Sequence, residues 1–272
     1  MEKDKVELVK NFAFNVRKNI LKMAFEAGSS SSHLGGALSI VEIVSFLFSY
    51  QMKIDKKNIS WEDRDRFILS KGHACLAYYA ALAEIGFIDK NELNTFEKDD
   101  SNLLGHPVLN KKLGIDFSTG SLGMGLSIAI GLSIAAKKKK KDFKVFTIVG
   151  DGENNEGSVW EAAMSAAKHN LVNLMVLIDY NKFQSYGPTS EVLELEPLVD
   201  KWRAFGFETS EVDGHNTEEI LKALNHKNSR PSAIVCHTVK GKGFPMAENQ
   251  ASWHHKSRLS DEDIDKLYDS LR

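Results

Sequence analysis

Asp151 lies between two glycines, Gly150 and Gly152, directly after the apolar run 144–149. Asn181 closes a second apolar run, 174–178, by way of Asp179 and Tyr180. A carboxylate and an amide carbonyl are hard oxygen ligands, and as a pair they suit a cation such as Mg2+, which keeps places for water and phosphate oxygens. The glycines let the backbone approach a phosphate with its N–H groups turned toward it. In a parallel sheet both strand ends fall on the carboxyl edge, where ligands bind, which places Asp151 and Asn181 near each other. For a bare Gly-Asp-Gly the plainer alternative is a tight strand-to-helix turn with an incidental acid, and these residues alone leave both readings open.

Four histidines share a second feature. His33, His73, His106 and His254 all fall in Gly/Ser-rich or otherwise irregular segments rather than on apolar helix faces. One loop histidine is ordinary surface decoration. Four of them beside a candidate phosphate site suit donation to phosphate and hydroxyl oxygens and proton transfer near neutral pH. Their spacing argues against zinc: only the adjacent 254–255 pair is close in sequence, and no cysteine joins them. His169, His215, His226 and His237 fall in expected helices, turns or a strand and are read as structural.

The elements that must position these residues follow from hydrophobic periodicity. An amphipathic helix is expected over 3–27, closed by Gly28, and a second apolar helix over 37–50. A short strand at 67–69 leads into the loop 70–73 and a helix over 74–86. Residues 87–121 read as irregular, with one helix near 89–97, and a helix rich in small residues follows over 122–140. From 143 the pattern becomes α/β alternation: strands at 144–149, 174–178, 208–212 and 232–238, with helices near 158–169, 196–205 and 217–226. A long loop over 241–258 precedes a final helix, 260–270, with Ser260 as its N-cap. The expected fold is α/β, a parallel β-sheet flanked by helices, in a single domain spanning 1–272.

Composition narrows the function. Thirty-five Lys and Arg against 37 Asp and Glu give a formal net charge of −2, which argues against a coat for nucleic acid or for an anionic membrane. The lysine run 137–141 has no interleaved aromatic residues and reads as the solvated, cationic end of a helix. Two cysteines, Cys75 and Cys236, make no disulfide framework, so reduced cytoplasmic thiols are expected. The charged, helical N-terminus does not read as a signal peptide, and no apolar run approaches the ~20 residues that span a bilayer.

The Gly-Asp-Gly to Asn spacing resembles the thiamine-diphosphate motif, and further segments extend the likeness. SSHLGGALS (31–39), DRFILSKGHA (65–74), GHP (105–107), STGSLGMGLSIAIG (118–131) and TVKGKG (238–243) with WHH (253–255) resemble transketolase segments in the same order. The chain is identified as a member of the transketolase family, corresponding to its diphosphate-binding domain, and looks like the N-terminal subunit of a split enzyme. The resemblance implies that Asp151, Asn181 and the carbonyl of Phe183 hold Mg2+, with Ca2+ or Mn2+ able to replace it. His73, Gly152, Glu153 and His254 would then meet the diphosphate of thiamine diphosphate, and Gly120 and Leu122 its aminopyrimidine. His33, His73 and His106 would line the substrate channel, with His254 and Glu156 also counted among the catalytic groups, Glu156 at the subunit interface and coupled to the partner's cofactor-activating Glu.

The implied activity is transfer of a two-carbon ketol unit from a ketose or its phosphate to an aldose. It would require a C-terminal partner subunit carrying the pyrimidine-binding domain, in an α2β2 assembly, with neither nucleic acid nor membrane involved. Three positions depart from the family pattern: Leu34 stands for a common Pro, Ser121 interrupts the Gly-Pro-Leu-Gly segment, and His255 replaces a Gly. Deoxyxylulose-phosphate synthase shares part of the pattern but fits less well. The competing readings are another thiamine-diphosphate carboligase or decarboxylase subunit in carbohydrate biosynthesis, and a non-catalytic scaffold.

Overall fold

Four apolar runs and one polar run form the strands β1 (Arg66–Leu69), β2 (Val145–Gly150), β3 (Leu174–Tyr180), β4 (Glu208–Asp213) and β5 (Ser232–His237). These come from a computed structural model that describes residues 2–28, 30, 32–256 and 259–271. All pairings are parallel, in the order β1-β2-β3-β5-β4. Every residue of β2 and β3 is buried, as expected of central strands covered on both faces. The polar β4 lies at an edge, where charged side chains discourage further pairing.

The helices are α1 (Glu2–Glu26), α2 (Leu34–Leu38), α3 (Val41–Phe46), α4 (Cys75–Glu84), α5 (Gly125–Lys138), α6 (Gly157–Lys168), the single turn α7 (Thr189–Val192), α8 (Leu198–Ala204), α9 (Thr217–Asn225) and α10 (Asp261–Asp269). Successive strand residues point to opposite faces, so each strand serves two cores. Phe67, Leu69, Phe146, Ile148 and Leu177 pack with residues of α1, α3, α4, α9 and α10. The alternate residues Ile68, Val145, Val149, Val176 and Ile178 pack with α5, α6 and α8. The chain runs outward from β1 to β3, passes to the edge at β4, then turns back to insert β5. That reversal carries α9 to the face opposite α6 and α8, as right-handed crossovers require.

The expected parallel sheet with flanking helices is present. Two local expectations differ. The helix expected over 37–50 is divided into α2, α3 and a π-helical turn, Leu47–Gln51. The break falls at Ser39 and Ile40, where the Ser39 hydroxyl reaches Asp179 at 2.8 Å and the carbonyl of Gly36 at 3.0 Å. The helix expected near 89–97 is only a 3-10 turn, Glu92–Thr95, because Leu93 and Phe96 give it too narrow an apolar face. Ser260 does cap α10, in a reciprocal capping box with Asp263. At the far end of α5, Lys141 pairs with Asp63 at 2.9 Å and Lys137 donates to the carbonyl of His169. No described helix is long and apolar enough to cross a membrane.

Candidate active site

Four of the five loops that leave the carboxyl edge of the sheet build the site: 70–73 after β1, 151–156 after β2, 181–187 after β3 and 238–243 after β5. Segments 32–36, 119–124 and 251–256 close over them. Two glycines let segment 119–124 approach the sheet edge. A Cβ on Gly72 would lie 2.8 Å from the backbone N of Gly120, so the two main chains touch there. Gly123, at φ +83, leaves no room for a side chain beside Ser158 and Glu156. Antiparallel bonds between Ser32 and Lys256 (2.9 and 3.0 Å) tie the loop before α2 to the loop before α10.

The buried Asp151 is held by backbone donors: Oδ1 accepts from Gly152 N at 2.7 Å and Oδ2 from Lys182 N at 2.6 Å. Burial, then the charge of nearby Asp179, push its carboxyl up to about 7. Asn181 Oδ1 accepts from Phe183 N at 3.0 Å, and the carbonyl of Phe183 accepts from Lys240 Nζ at 2.9 Å. Asp179, fully buried, takes hydrogen bonds from Ser39 Oγ, Asn181 Nδ2, Thr238 Oγ1 and the Lys71 ammonium. Burial opposes its charge, but Lys71 and these donors outweigh it and hold the carboxyl below the usual range. Lys71 also donates to the carbonyl of Gly36 at 2.9 Å. Burial, then the Lys71 charge, bring Lys240 down to about 8.

The histidines gather as their loops do. The ring of His33 lies 5.4 Å from that of His73, 5.8 Å from His106, 5.4 Å from His254 and 4.5 Å from His255. Burial, then the His255 charge, lower His33 to about 4. Burial, then Lys240, lower His254 to about 3. Burial, then Lys71, hold His73 well below its ordinary value. These three imidazoles are therefore neutral at physiological pH and act as hydrogen-bonding groups rather than cations. His254 Nε2 contacts Ser185 Oγ at 3.2 Å. Its Nδ1 and the Nε2 of Gln184 are buried without a hydrogen-bond partner.

A pocket of about 430 Å³ opens among these groups. Of the residues expected from sequence, His73, Leu122, Asp151, Gly152, Glu153, Glu156, Asn181, Phe183 and His254 line it. His33 and His106 stand beside it in the histidine cluster, and Gly120 lies against the His106 ring. Glu153 points inward: its carboxylate accepts from Ser70 Oγ, Gly123 N at 2.8 Å and Gly150 N at 3.0 Å, bracing three loops. Glu156 is exposed at the pocket's open side, beside Leu122, Tyr186, Val192 and Leu193. A larger groove of about 680 Å³ runs along β4 but holds no comparable convergence of buried polar groups.

Sequence reasoning missed Lys71, Asp179, Gln184 and Lys240 as parts of the site. Lys71 and Lys240 sit inside segments already singled out, SKGHA and TVKGKG, yet lysines are so seldom buried that neither drew notice.

The donors fit a divalent cation beside an anion. One carboxylate, one amide oxygen and one backbone carbonyl are hard ligands. Two ammonium groups and the unpartnered His254 and Gln184 nitrogens suit phosphate oxygens. Among the described residues, no three His, Cys, Asp or Glu form a metal-holding group.

Comparison with known proteins places the chain in a family. The family described as "Transketolase, thiamine diphosphate binding domain" matches residues 13–271. The 6-deoxy-6-sulfo-D-fructose transketolase subunit SqwG of Clostridium sp. (strain MSTE9) is 43% identical over 85% of this chain and 84% of its own length. An apulose-4-phosphate transketolase subunit of Actinobacillus succinogenes is 41% identical over 86% of this chain and 85% of its own. Transketolase from Campylobacter jejuni superposes with a TM-score of 0.88 at 30% identity, over 97% of this chain but 43% of that one. The chain thus spans nearly the length of the subunits it resembles and less than half that of the larger enzyme.

Proposed function

Since this chain belongs to the family of transketolase thiamine-diphosphate-binding domains, we propose that it is the N-terminal subunit of a split transketolase. The enzyme depends on thiamine diphosphate and Mg2+ and moves a two-carbon ketol unit from a ketose or ketose phosphate to an aldose. The observation that carries this reading is the meeting of Asp151, Asn181 and the Phe183 carbonyl with two buried ammonium groups and three neutral imidazoles. Asp151, Asn181 and Phe183 would hold the metal; Ca2+ or Mn2+ satisfies the same oxygen set. When bound, thiamine diphosphate supplies the electron sink that lets a bond beside a ketose carbonyl break.

The protein's own groups do the rest. Lys71 and Lys240, both buried, offset diphosphate charge, and burial strengthens such pairing. His254 Nδ1 is a buried nitrogen in want of a partner and suits a phosphate oxygen. His33, His73 and His106 exchange protons with sugar hydroxyl and carbonyl oxygens, and the neutral rings of His33 and His73 can both donate and accept. Gly120 and Leu122 border the place for the aminopyrimidine. Glu153 works one step back, tying the loop that carries Gly123 to the end of β2 at Gly150.

Glu156 and the exposed apolar side chains beside it form the face for a second subunit that carries the pyrimidine-binding domain. Exposed apolar groups beside a polar pocket are what an interface covers. We place the assembly, an α2β2 complex, in the cytoplasm, where the two unpaired buried thiols stay reduced. The test is native mass spectrometry of the tagged chain from its own cells, followed by ketol-transfer assays. A complex with a second chain that carries thiamine diphosphate and exchanges ketol units supports the proposal. A lone chain that transfers ketol units, or a complex that does neither, refutes it.

A further inference from the structure

His215, read from sequence as structural, is wired into the site. It lies in the turn between β4 and α9, and its ring joins two other elements. Nδ1 meets Glu42 Oε2 of α3 at 2.9 Å. Nε2 accepts from the backbone N of Val239, after β5, at 2.8 Å. A backbone N–H can only donate, so Nε2 is the bare nitrogen and Nδ1 carries the proton given to Glu42. The other oxygen of Glu42 pairs with Arg17 Nη2 of α1 at 2.5 Å, and Arg17 Nε reaches the carbonyl of Lys242 at 3.4 Å. Both side chains of the His215–Glu42 pair are only 13% exposed, so water competes weakly.

The backbone held this way carries Lys240. Val239 N is fixed by His215 and Gly241 N by the carbonyl of Gly35 at 3.0 Å, one on each side of that lysine. Lys240 Nζ then reaches the carbonyl of Phe183. We propose that His215 is a positioning residue: with Glu42 and Arg17 it fixes the strand exit at Val239, so that the Lys240 ammonium stands in the anion pocket. The proposal rests on the function given above only for the identity of that anion.

Three forms of the chain test this: wild type, His215→Gln and His215→Leu. Glutamine keeps a neutral acceptor for Val239 N–H, whereas leucine keeps bulk without one. Hydrogen exchange is read on the full chain, and thiamine diphosphate affinity with Mg2+ on the assembled complex. In the leucine variant, exchange at residues 239–243 should rise about 100-fold while the central strands stay protected, and affinity should fall about tenfold. The glutamine variant should recover both to within about threefold. Unchanged affinity in the leucine variant, or no recovery with glutamine, overturns the proposal. If the leucine variant does not fold, 15N spectra of wild-type His215 decide it: a proton on Nε2 overturns the assignment. A wild-type complex that takes up no thiamine diphosphate refutes the proposed function instead, and the exchange comparison alone then judges this inference.

Discussion

Asn181 donates from Nδ2 to Oδ2 of Asp179 at 2.8 Å, and its Oδ1 accepts from Phe183 N at 3.0 Å. The two bonds agree on the orientation of the amide. The next backbone donor upstream, Lys182 N, binds Asp151 Oδ2 at 2.6 Å. Consecutive N–H groups therefore draw the carboxylate oxygen and the amide oxygen to one place, while Asp179 keeps the NH2 end away from a cation.

Replacing Asp151 by Ala removes the one charged protein ligand of the proposed metal site. Metal-dependent affinity for thiamine diphosphate should fall at least about 100-fold, or ~2.7 kcal/mol, measured by titration calorimetry of the assembled complex. Affinity like that of the wild type would remove Asp151 from the metal site.

Asp179 and Lys71 form a buried ion pair with side chains 0% and 2% exposed. Lys71→Met strands the carboxylate with neutral donors and should cost about 3–5 kcal/mol in urea unfolding. Adding Asp179→Asn removes the stranded charge. The double variant should then lose clearly less stability than the two single losses combined. Strict additivity would show that the pair is not coupled.

The raised value of Asp151, about 7, has a direction that can be measured. Between the ordinary carboxylate range and pH 7 the unfolded chain gives up this proton while the folded chain keeps it. The metal-free fold therefore loses stability over that window as pH rises, and no more above it. A divalent cation binds the ionised form. The rise in melting temperature on adding Mg2+ should thus be small at pH 6 and larger at pH 8. An equal rise at both, or a larger one at pH 6, would contradict the assignment.

Gly72→Ala brings a methyl group to within 2.8–2.9 Å of the Gly120 backbone. Such contact with main chain is not relieved by a side-chain rotation and should cost about 1–3 kcal/mol. Because it parts the loops bearing His73 and Leu122, thiamine diphosphate affinity should fall as well. Gly131→Ala, where the added methyl group meets nothing within 4 Å, is the control expected to leave affinity unchanged.

The sequence made the proposed ligands plain and their supports obscure. Asp151 and Asn181 stand at the ends of apolar runs, so strand periodicity alone carries both to one edge. The histidines could be grouped because glycines and serines surround them. Asp179 was invisible as a support, since its four partners come from positions near 39, 71, 181 and 238, and no local pattern joins these. His215 was passed over because its tautomer, and so its role, depends on Val239 and Glu42, which only the folded chain supplies. The division of the helix expected over 37–50 has the same origin: Ser39 gives its hydroxyl to Asp179, a partner far along the chain.

The Ser32–Lys256 bridge joins positions near opposite ends of the chain. During synthesis the sheet's early strands emerge long before Lys256 does. A nascent chain therefore holds Asp151 and Asn181, just after β2 and β3, before His254 and the latch are made, and it closes the pocket late. Such late closure by distant contacts is slow relative to local folding. A chain whose synthesis has not reached 256 therefore presents an unlatched pocket.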